Sequence, residues 1–361
     1  MSAITTAVAV DAFEPEQLEL HRRELTGYCY RMLGSFAEAE DAVQETLIRA
    51  WKAQSGFEGR SSVRTWLHRV ATNVCLDMLR GRKRRALPMG LVPSTTAAEV
   101  MRAGDIGPEL GESTWVLPVP ESRVLPEHAD PAQLTAQRDS VRLAFVAALQ
   151  HLPPRQRAVL LLREVLDWSA AEVADLLGSS VAAVNSALQR ARATLAARQL
   201  EAGAEIVGAL GSGGASASGG AISATEAVRS GDGPATDEAA QRDLVAEFVE
   251  AFERYDIDRL TMLLHDDAVQ AMPPYELWLR GGAEIGRWML GPGADCRGSR
   301  LLAAGSANGA VAFGQYRSDG HGGHAPFALQ MIRIEGDRIA EINSFLMPEL
   351  LFPLFGLPLT L

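Results

Sequence analysis

Cysteine is scarce in this chain. Three occur in 361 residues, Cys29, Cys75 and Cys296, far apart, with no CxxC and no histidine at metal-ligand spacing. A disulfide framework and a zinc site are therefore not expected, and a reducing cytosol fits. No uninterrupted apolar run of about 18 residues occurs, so no membrane span is expected. The opening MSAITTAVAVDAFEPEQ has no basic stretch and already carries Asp11 and Glu14, unlike a secretory signal. These absences imply a cytoplasmic chain with no metal, no cofactor and no membrane partner. Apolar residues make up 47% of it, enough to bury two or three domain cores.

An overall basic surplus is also missing, since the formal charge is −11. Its distribution is more informative than its sum. Residues 1–200 hold 23 basic and 23 acidic side chains, whereas residues 201–361 hold 11 and 22. All the excess acidity thus lies in the C-terminal part. Within the first part, residues 16–85 carry 13 basic against 9 acidic groups, and residues 151–200 carry 6 against 4. Between them, residues 86–140 carry 3 against 8. Two mildly basic blocks around an acidic stretch suit two modules gripping one polyanion.

The hydrophobic spacing predicts helices through residues 16–85. Ser35, followed by Glu38, reads as a capping box for the helix SFAEAEDAVQETLIRAWKAQ. VRTWLHRVATNVCLDMLRGRKRR reads as one long helix with Val63, Leu67, Val70 and Val74 on its apolar side. Residues 86–135 hold seven prolines and no sustained period, and read as a long irregular connector. A helix is expected over about 131–151, then another opened by Pro153 and Pro154. Residues 201–236 are rich in Gly, Ser and Ala and read as a flexible linker. Beyond it, helices followed by strand-like runs predict an α+β domain over 237–346 with a curved antiparallel sheet. An apolar tail, residues 347–361, is too short and proline-broken to span a membrane and should pack on its own domain or on the preceding module.

Three motifs carry chemistry. In SAAEVADLLGSSVAAVNSALQRAR, residues 169–192, two helices flank a turn at Gly178, and Ser179 or Ser180 can cap the second. Ala174, Leu176, Leu177, Val181, Val184 and Leu188 supply its buried faces. This is helix-turn-helix spacing, although an ordinary helical hairpin gives the same pattern. Asn185, Ser186, Gln189 and Arg190 would point outward and offer the donors and acceptors that base edges require. RGRKRR, residues 80–85, follows a helix bearing Trp66, His68, Arg69 and Asn73, a combination suited to phosphate neutralisation and unstacked bases. A solvated helix end is the plainer account of that cluster. In DAVQE, Asp41, Gln44 and Glu45 share one helix face.

Taken in order, EAEDAVQETLIRAWK, FEGRSSVRTWLHRVATNVCLDMLRGRKRR and LPPRQRAVLLLREVLDWSAAEVADLLGSSVAAVNSALQRAR resemble regions 2 and 4 of the sigma-70 family. They resemble more narrowly its extracytoplasmic-function group. FVEAFERYDIDRLTMLLHDDAV is similar to the opening of SnoaL-like domains of the nuclear-transport-factor-2-like superfamily, and the whole resembles the actinobacterial SigG-like group, including the closing FGLP. The resemblance implies a multidomain chain: two all-α sigma domains, region 2 as a helical bundle (16–85) and region 4 as a helix-turn-helix (136–200), then an α+β cone-shaped barrel. It implies an alternative sigma factor whose partners are core RNA polymerase, through the β′ clamp helices and the β flap, and promoter DNA. Asp41, Gln44 and Glu45 would dock on the clamp helices, with Leu47 and Trp51 behind. Ser61, Ser62, Trp66, Arg69, Asn73, Asp77, Arg80, Arg82, Lys83, Arg84 and Arg85 would meet the −10 element. Asn185, Ser186, Gln189 and Arg190, with Arg155, Arg157 and Arg192 nearer the backbone, would meet the −35 element. The acidic connector would thread the RNA-exit path.

For the third domain the resemblance implies a pocket, with Phe248, Met272, Trp278, Phe327 and Met331 as walls for a small apolar ligand. Phe248 and Met272 fall where isomerases of the superfamily carry a tyrosine and a general-base aspartate, so no catalytic residue is assigned and control in cis is expected. His265, Asp266 and Asp267 are the polar candidates nearby. Two other readings stay open: a SnoaL-type enzyme on a DNA-binding module, and a one-component regulator acting without polymerase.

Overall fold

The computed structural model describes residues 15–57, 59, 61–126, 131–201 and 238–361. The expected linker lies almost wholly outside them. Helices α1 (Pro15–Glu19), α2 (Arg22–Leu33), α3 (Phe36–Ala53) and α4 (Val63–Met78) form the first bundle. The predicted capping box of α3 does not form: Ser35 makes no side-chain cap, and Glu38 is taken by Arg82 and Arg85. Helix α4 starts on Ser62, whose Oγ accepts the Thr65 amide. It buries Leu67, Ala71, Val74 and Cys75, one stripe at helical spacing. It stops at Met78, so RGRKRR is a turn rather than helix.

The connector is not a loose strand. Trp115, Val116 and Val119 are fully buried, and Ala86 bridges Trp115. It carries α5 (Ala97–Ala103), closed at its start by a Thr96–Glu99 capping box, and α6 (Glu121–Val124). Gly27 of α2 lets α6 approach: a Cβ there would lie 2.5 Å from the Val124 carbonyl oxygen.

The expected helix over 131–151 is two, α7 (Pro131–Asp139) and α8 (Leu143–Leu149). The break is tertiary in origin. Arg31 of the first bundle donates to the hydroxyl of Ser140 at 3.0 and 2.7 Å. Then come α9 (Pro154–Leu160), α10 (Ala170–Leu176) and α11 (Val181–Glu201). Ser169 and Glu172 form a capping box on α10, Gly178 turns the chain at φ 59°, and Ser180 caps α11 through the Ala183 amide.

The last domain packs α12 (Glu238–Arg254), α13 (Ile257–Leu263) and α14 (Gly282–Leu290) against a six-stranded sheet. The strands are β1 (Leu264–Ala271), β2 (Trp278–Arg280), β3 (Arg300–Ala307), β4 (Ala310–Ser318), β5 (His324–Glu335) and β6 (Arg338–Phe345). Their order is β2-β1-β6-β5-β4-β3. The expectation of an antiparallel sheet needs one correction, because β1 pairs with β6 in parallel. Alternation separates two faces. Phe313, Ile332 and Ile342 face the helices, while Ala312, Met331 and Phe345 join the apolar cluster that continues into the sigma-like bundles. The apolar tail covers this second face. Leu351, Phe352 and Leu357 are buried there, the Phe352 ring lies 5.1 Å from that of Tyr316, and α15 (Pro348–Leu351) carries the turn.

Candidate polymerase and promoter interface

Asp41 and Gln44 are exposed on α3 and Glu45 is half-exposed, paired with Arg49 at 2.6 Å. Ile48 and Trp51, one and two turns on, are exposed at 40% and 43%, while Leu47 is buried. The result is an acidic, amide-bearing face continued by two apolar side chains that nothing in the described chain covers. Such a patch suits docking on another protein.

On α4, Ser62, Asn73 and Asp77 are exposed, and Ser61, Trp66 and Arg69 are partly so. Trp66 packs beside Phe57, ring centres 5.2 Å apart. His68 is fully buried, which removes it from any DNA-facing surface. Arg80, Arg82, Lys83 and Arg84 are exposed on the turn after the helix, and Arg84 reaches His151. Arg85 departs from the expectation. It is buried, ion-paired to Glu38 and bonded to the carbonyl oxygens of Glu112 and Trp115 at 2.7 and 2.8 Å, so it holds the connector rather than a phosphate.

On α11, Asn185, Ser186, Gln189 and Arg190 are all exposed, while Val184, Leu188 and Ala191 are buried. The helix therefore presents one polar side outward over an apolar one. Val181, expected inside, is 45% exposed because it sits at the first helical position beyond the packed turn. Arg155 is exposed, but Arg192 is tied to Glu164. Arg157 is the clear correction. It is 3% exposed and donates to Met32 O and to Gln150 Oε1 at 2.6 Å. Burial, with no carboxylate beside it, pulls its guanidinium down to about 10. It is a bolt between the two bundles and is unavailable to DNA.

Arg31 is a second such bolt, also lowered to about 10 by burial. A third contact sets Trp168 against α4. Its ring lies 5.3 Å from that of His68 and 5.8 Å from the Arg64 guanidinium. Beside it Arg69 pairs with Asp175 of α10. The two helical modules are thus packed directly on one another.

The third domain adds the residue that joins all three parts. Asn308 and Gly309 form the two-residue turn of the β3–β4 hairpin, with φ of 51° and 76°. Asn308 Nδ2 donates to Tyr30 Oη at 2.8 Å and to Val141 O at 2.5 Å, and its Oδ1 accepts the Val119 amide at 2.7 Å. Gly309 donates to Glu121 Oε1 at 2.8 Å. Sequence reasoning missed Asn308, Tyr30, Arg31 and Trp168. Only the Asn-Gly dipeptide was a usable local signal, and it announces a turn, not its partners.

The five expected pocket residues do not line one cavity. Phe248 and Met272 lie in the inner cluster, but Met331 is on the opposite face of the sheet. Phe327 sits under Arg317, 4.6 Å away, and the Trp278 indole donates to Val92 O of the connector at 2.9 Å. His265, Asp266 and Asp267 are exposed.

Comparison with known proteins matches this arrangement. The family model for Sigma-70 region 2 matches residues 18–85, that for Sigma-70, region 4 matches 142–195, and that for a SnoaL-like domain matches 245–342. The chain is 45% identical to the ECF RNA polymerase sigma factor SigG of Mycobacterium tuberculosis, over 94% of this chain and 82% of that one. It is 30% identical to SigW of Bacillus subtilis over 51% of this chain and 87% of that one. The crystal structure of the M. tuberculosis extracytoplasmic function sigma factor SigJ superimposes with a TM-score of 0.54 at 22% identity, covering 96% and 100% of the two chains.

Proposed function

For this chain, which belongs to the extracytoplasmic-function family of RNA polymerase sigma factors, we propose which surfaces carry the work and what the third domain does. Membership makes it a transcription-initiation subunit that binds core RNA polymerase and promoter DNA. In our reading Asp41, Gln44, Glu45, Ile48 and Trp51 meet the β′ clamp helices, and region 4 lies on the β flap. Ser61, Ser62, Trp66, Asn73, Asp77, Arg80, Arg82, Lys83 and Arg84 serve the −10 element, and Arg69 joins them once Asp175 lets go. Asn185, Ser186, Gln189 and Arg190 read the −35 element in the major groove. The observation that carries this is the joint exposure of Asn185, Ser186, Gln189 and Arg190 on α11, set on a capped helix-turn-helix. Expected is co-elution of the purified chain with core polymerase and specific run-off transcription, both failing if the reading is wrong.

The third domain is read as a non-catalytic regulator acting in cis. Among the described residues of 238–361, the buried side chains with polar atoms are Gln270, Ser299, Asn308, Gln315, Gln330, Asn343 and Ser344, with Tyr255 and Tyr316, whose hydroxyls donate to Met289 O and Pro358 O. Amides and aliphatic hydroxyls do not exchange a proton near neutral pH, and the two tyrosine hydroxyls are raised by burial and spent on backbone carbonyls, so none of these groups is poised as a general acid or base. Its inner face takes Ala97 and Val100 of the chain itself, which favours a structural occupant over a small apolar ligand. The bonds of Asn308 to regions 2 and 4 and the connector give it a physical route to both DNA-reading modules. Deleting residues 203–361 is expected to change promoter output strongly.

A further inference from the structure

The outer end of the third domain is a seat for a stretch of the chain's own connector. The Trp278 indole Nε1 donates to Val92 O at 2.9 Å, and Trp278 O accepts the Thr95 amide at 3.0 Å. Glu284 Oε1 accepts the Ala97 amide at 2.5 Å, in the first turn of α5, and Pro274 O accepts the Leu110 amide at 2.9 Å. Between these fixed points Ala97 and Val100 are buried, and Ile106 partly so, in the same cluster as Phe248, Met272, Leu277 and Trp288. Four hydrogen bonds and a shared core are more than chance proximity. The segment fills the place that a bound peptide would take.

A length gives this seat a consequence. The connector closes on itself where Ala86 and Val116 donate to Thr114 O and Ala86 O, and region 2 holds it there through Arg85, which donates to Glu112 O and Trp115 O, and through Gly34 O, which accepts the Leu117 amide. Val119 is held by Asn308. Residues 87–114 therefore leave and return at one place and add no reach. Between Pro120 and Pro131 only ten residues remain, at most about 33–36 Å when fully extended. Elements centred near −10 and −35 lie roughly 25 base pairs apart, on the order of 85 Å at ~3.4 Å per pair. With about 28 Å from the breadth of each module, the pinned chain only just spans that distance, and only with the ten residues straight and α6 unwound, which leaves no slack. Releasing residues 87–120 adds on the order of 110 Å.

We propose that the third domain is a peptide-holding module whose occupant is residues 92–110 of the connector, and that release of this segment, together with the ties at Thr114, Val116, Leu117 and Val119, gives regions 2 and 4 the slack to reach both promoter elements at once. The inference rests on the sigma-factor reading above. Amide exchange at Thr95, Ala97 and Leu110 tests it in the full-length chain, alone, with core polymerase, and with core polymerase and promoter DNA. These amides are expected to be protected in the free chain and to exchange at least tenfold faster in the promoter complex. Trp278→Ala and Glu284→Ala should speed their exchange at least tenfold in the free chain and tighten promoter-complex formation. Glu284→Gln, which keeps the acceptor oxygen, should stay near wild type. The Ile332 amide in β5 reports whether each variant's third domain is still folded. Continued protection in the promoter complex overturns the proposal, as does wild-type exchange in both alanine variants. Failure of the wild type to bind core enzyme would instead remove the sigma-factor premise, while free-chain exchange would still report the seat.

Discussion

Asn308→Ala removes one small side chain at the meeting point of three segments. The variant loses two donated bonds, to Tyr30 Oη and Val141 O, and one accepted from the Val119 amide. Tyr30 keeps a partner, since its hydroxyl donates to Leu117 O at 2.8 Å, and burial raises its pKa and keeps the proton on. The Val119 N–H and Val141 C=O are left buried and without those bonds. At about 1–3 kcal/mol for each orphaned group, the loss is about 2–6 kcal/mol. Alanine at φ 51° adds about 1–2 kcal/mol, which asparagine tolerates better. Asn308→Gly separates the two effects, because it loses the same bonds without the backbone penalty. The destabilisation falls on the contact between domains rather than on any one core. A loss of 3 kcal/mol corresponds to exchange about 150-fold faster at the Val119 amide. Calorimetry should then show the third domain melting apart from the helical modules. Unchanged Val119 exchange in both variants, with melts like wild type, would refute the argument that this turn clasps the three parts.

Three further outcomes follow from named contacts. Arg190→Ala should cost about 1–3 kcal/mol of discrimination at one −35 position, read by binding to a panel of single-base variants, whereas Lys83→Ala should weaken all sequences alike and lower the salt slope by about one. Arg157→Ala should destabilise the chain by about 2–5 kcal/mol in denaturant unfolding, because Met32 O and the Gln150 side chain lose their shared donor. Were Arg157 a phosphate contact instead, its loss would alter DNA binding and leave stability alone. Burial holds His68 below the ordinary imidazole value of 6.5, and Glu24 only partly offsets it, with Arg64 and His21 opposing the charged form. The unfolded chain therefore takes up that proton first. Stability is flat above about pH 7.5 and falls as pH drops through 6.5 towards the lowered folded value. His68→Phe, which keeps a ring against Trp168, should flatten that part of the melting-temperature profile; an unaltered profile would show that another group is responsible.

The sequence carried the helical modules well because their signals are local. The stripe Leu67, Ala71, Val74 and Cys75, the Ser169–Glu172 cap and the Gly178 turn each lie within a few residues of one another. The outward set on α11 came from the same period. Errors arose where a distant partner outbid a local one. Glu38 left its capping box for Arg82 and Arg85, and the helix expected over 131–151 broke where Ser140 meets Arg31. Arg85 and Arg157 looked like phosphate contacts because a basic side chain carries the same letter whether it faces solvent or a buried carbonyl. In the third domain, β5 alternates correctly, but a period of two cannot say which face meets helices and which meets another domain, so Met331 was assigned to the wrong side.

By itself, then, the sequence determined the elements of a sigma factor, their order, and the polar side that region 4 turns outward, because each depends on spacings of one to four residues. The tertiary structure alone decided what joins them: Arg31 and Arg157 bolting one bundle to the other, Asn308 binding a tyrosine 278 positions away, and Trp278 holding Val92. Such pairs leave no periodic trace. They arise only when folding brings a buried donor to a buried acceptor that would otherwise go without a partner.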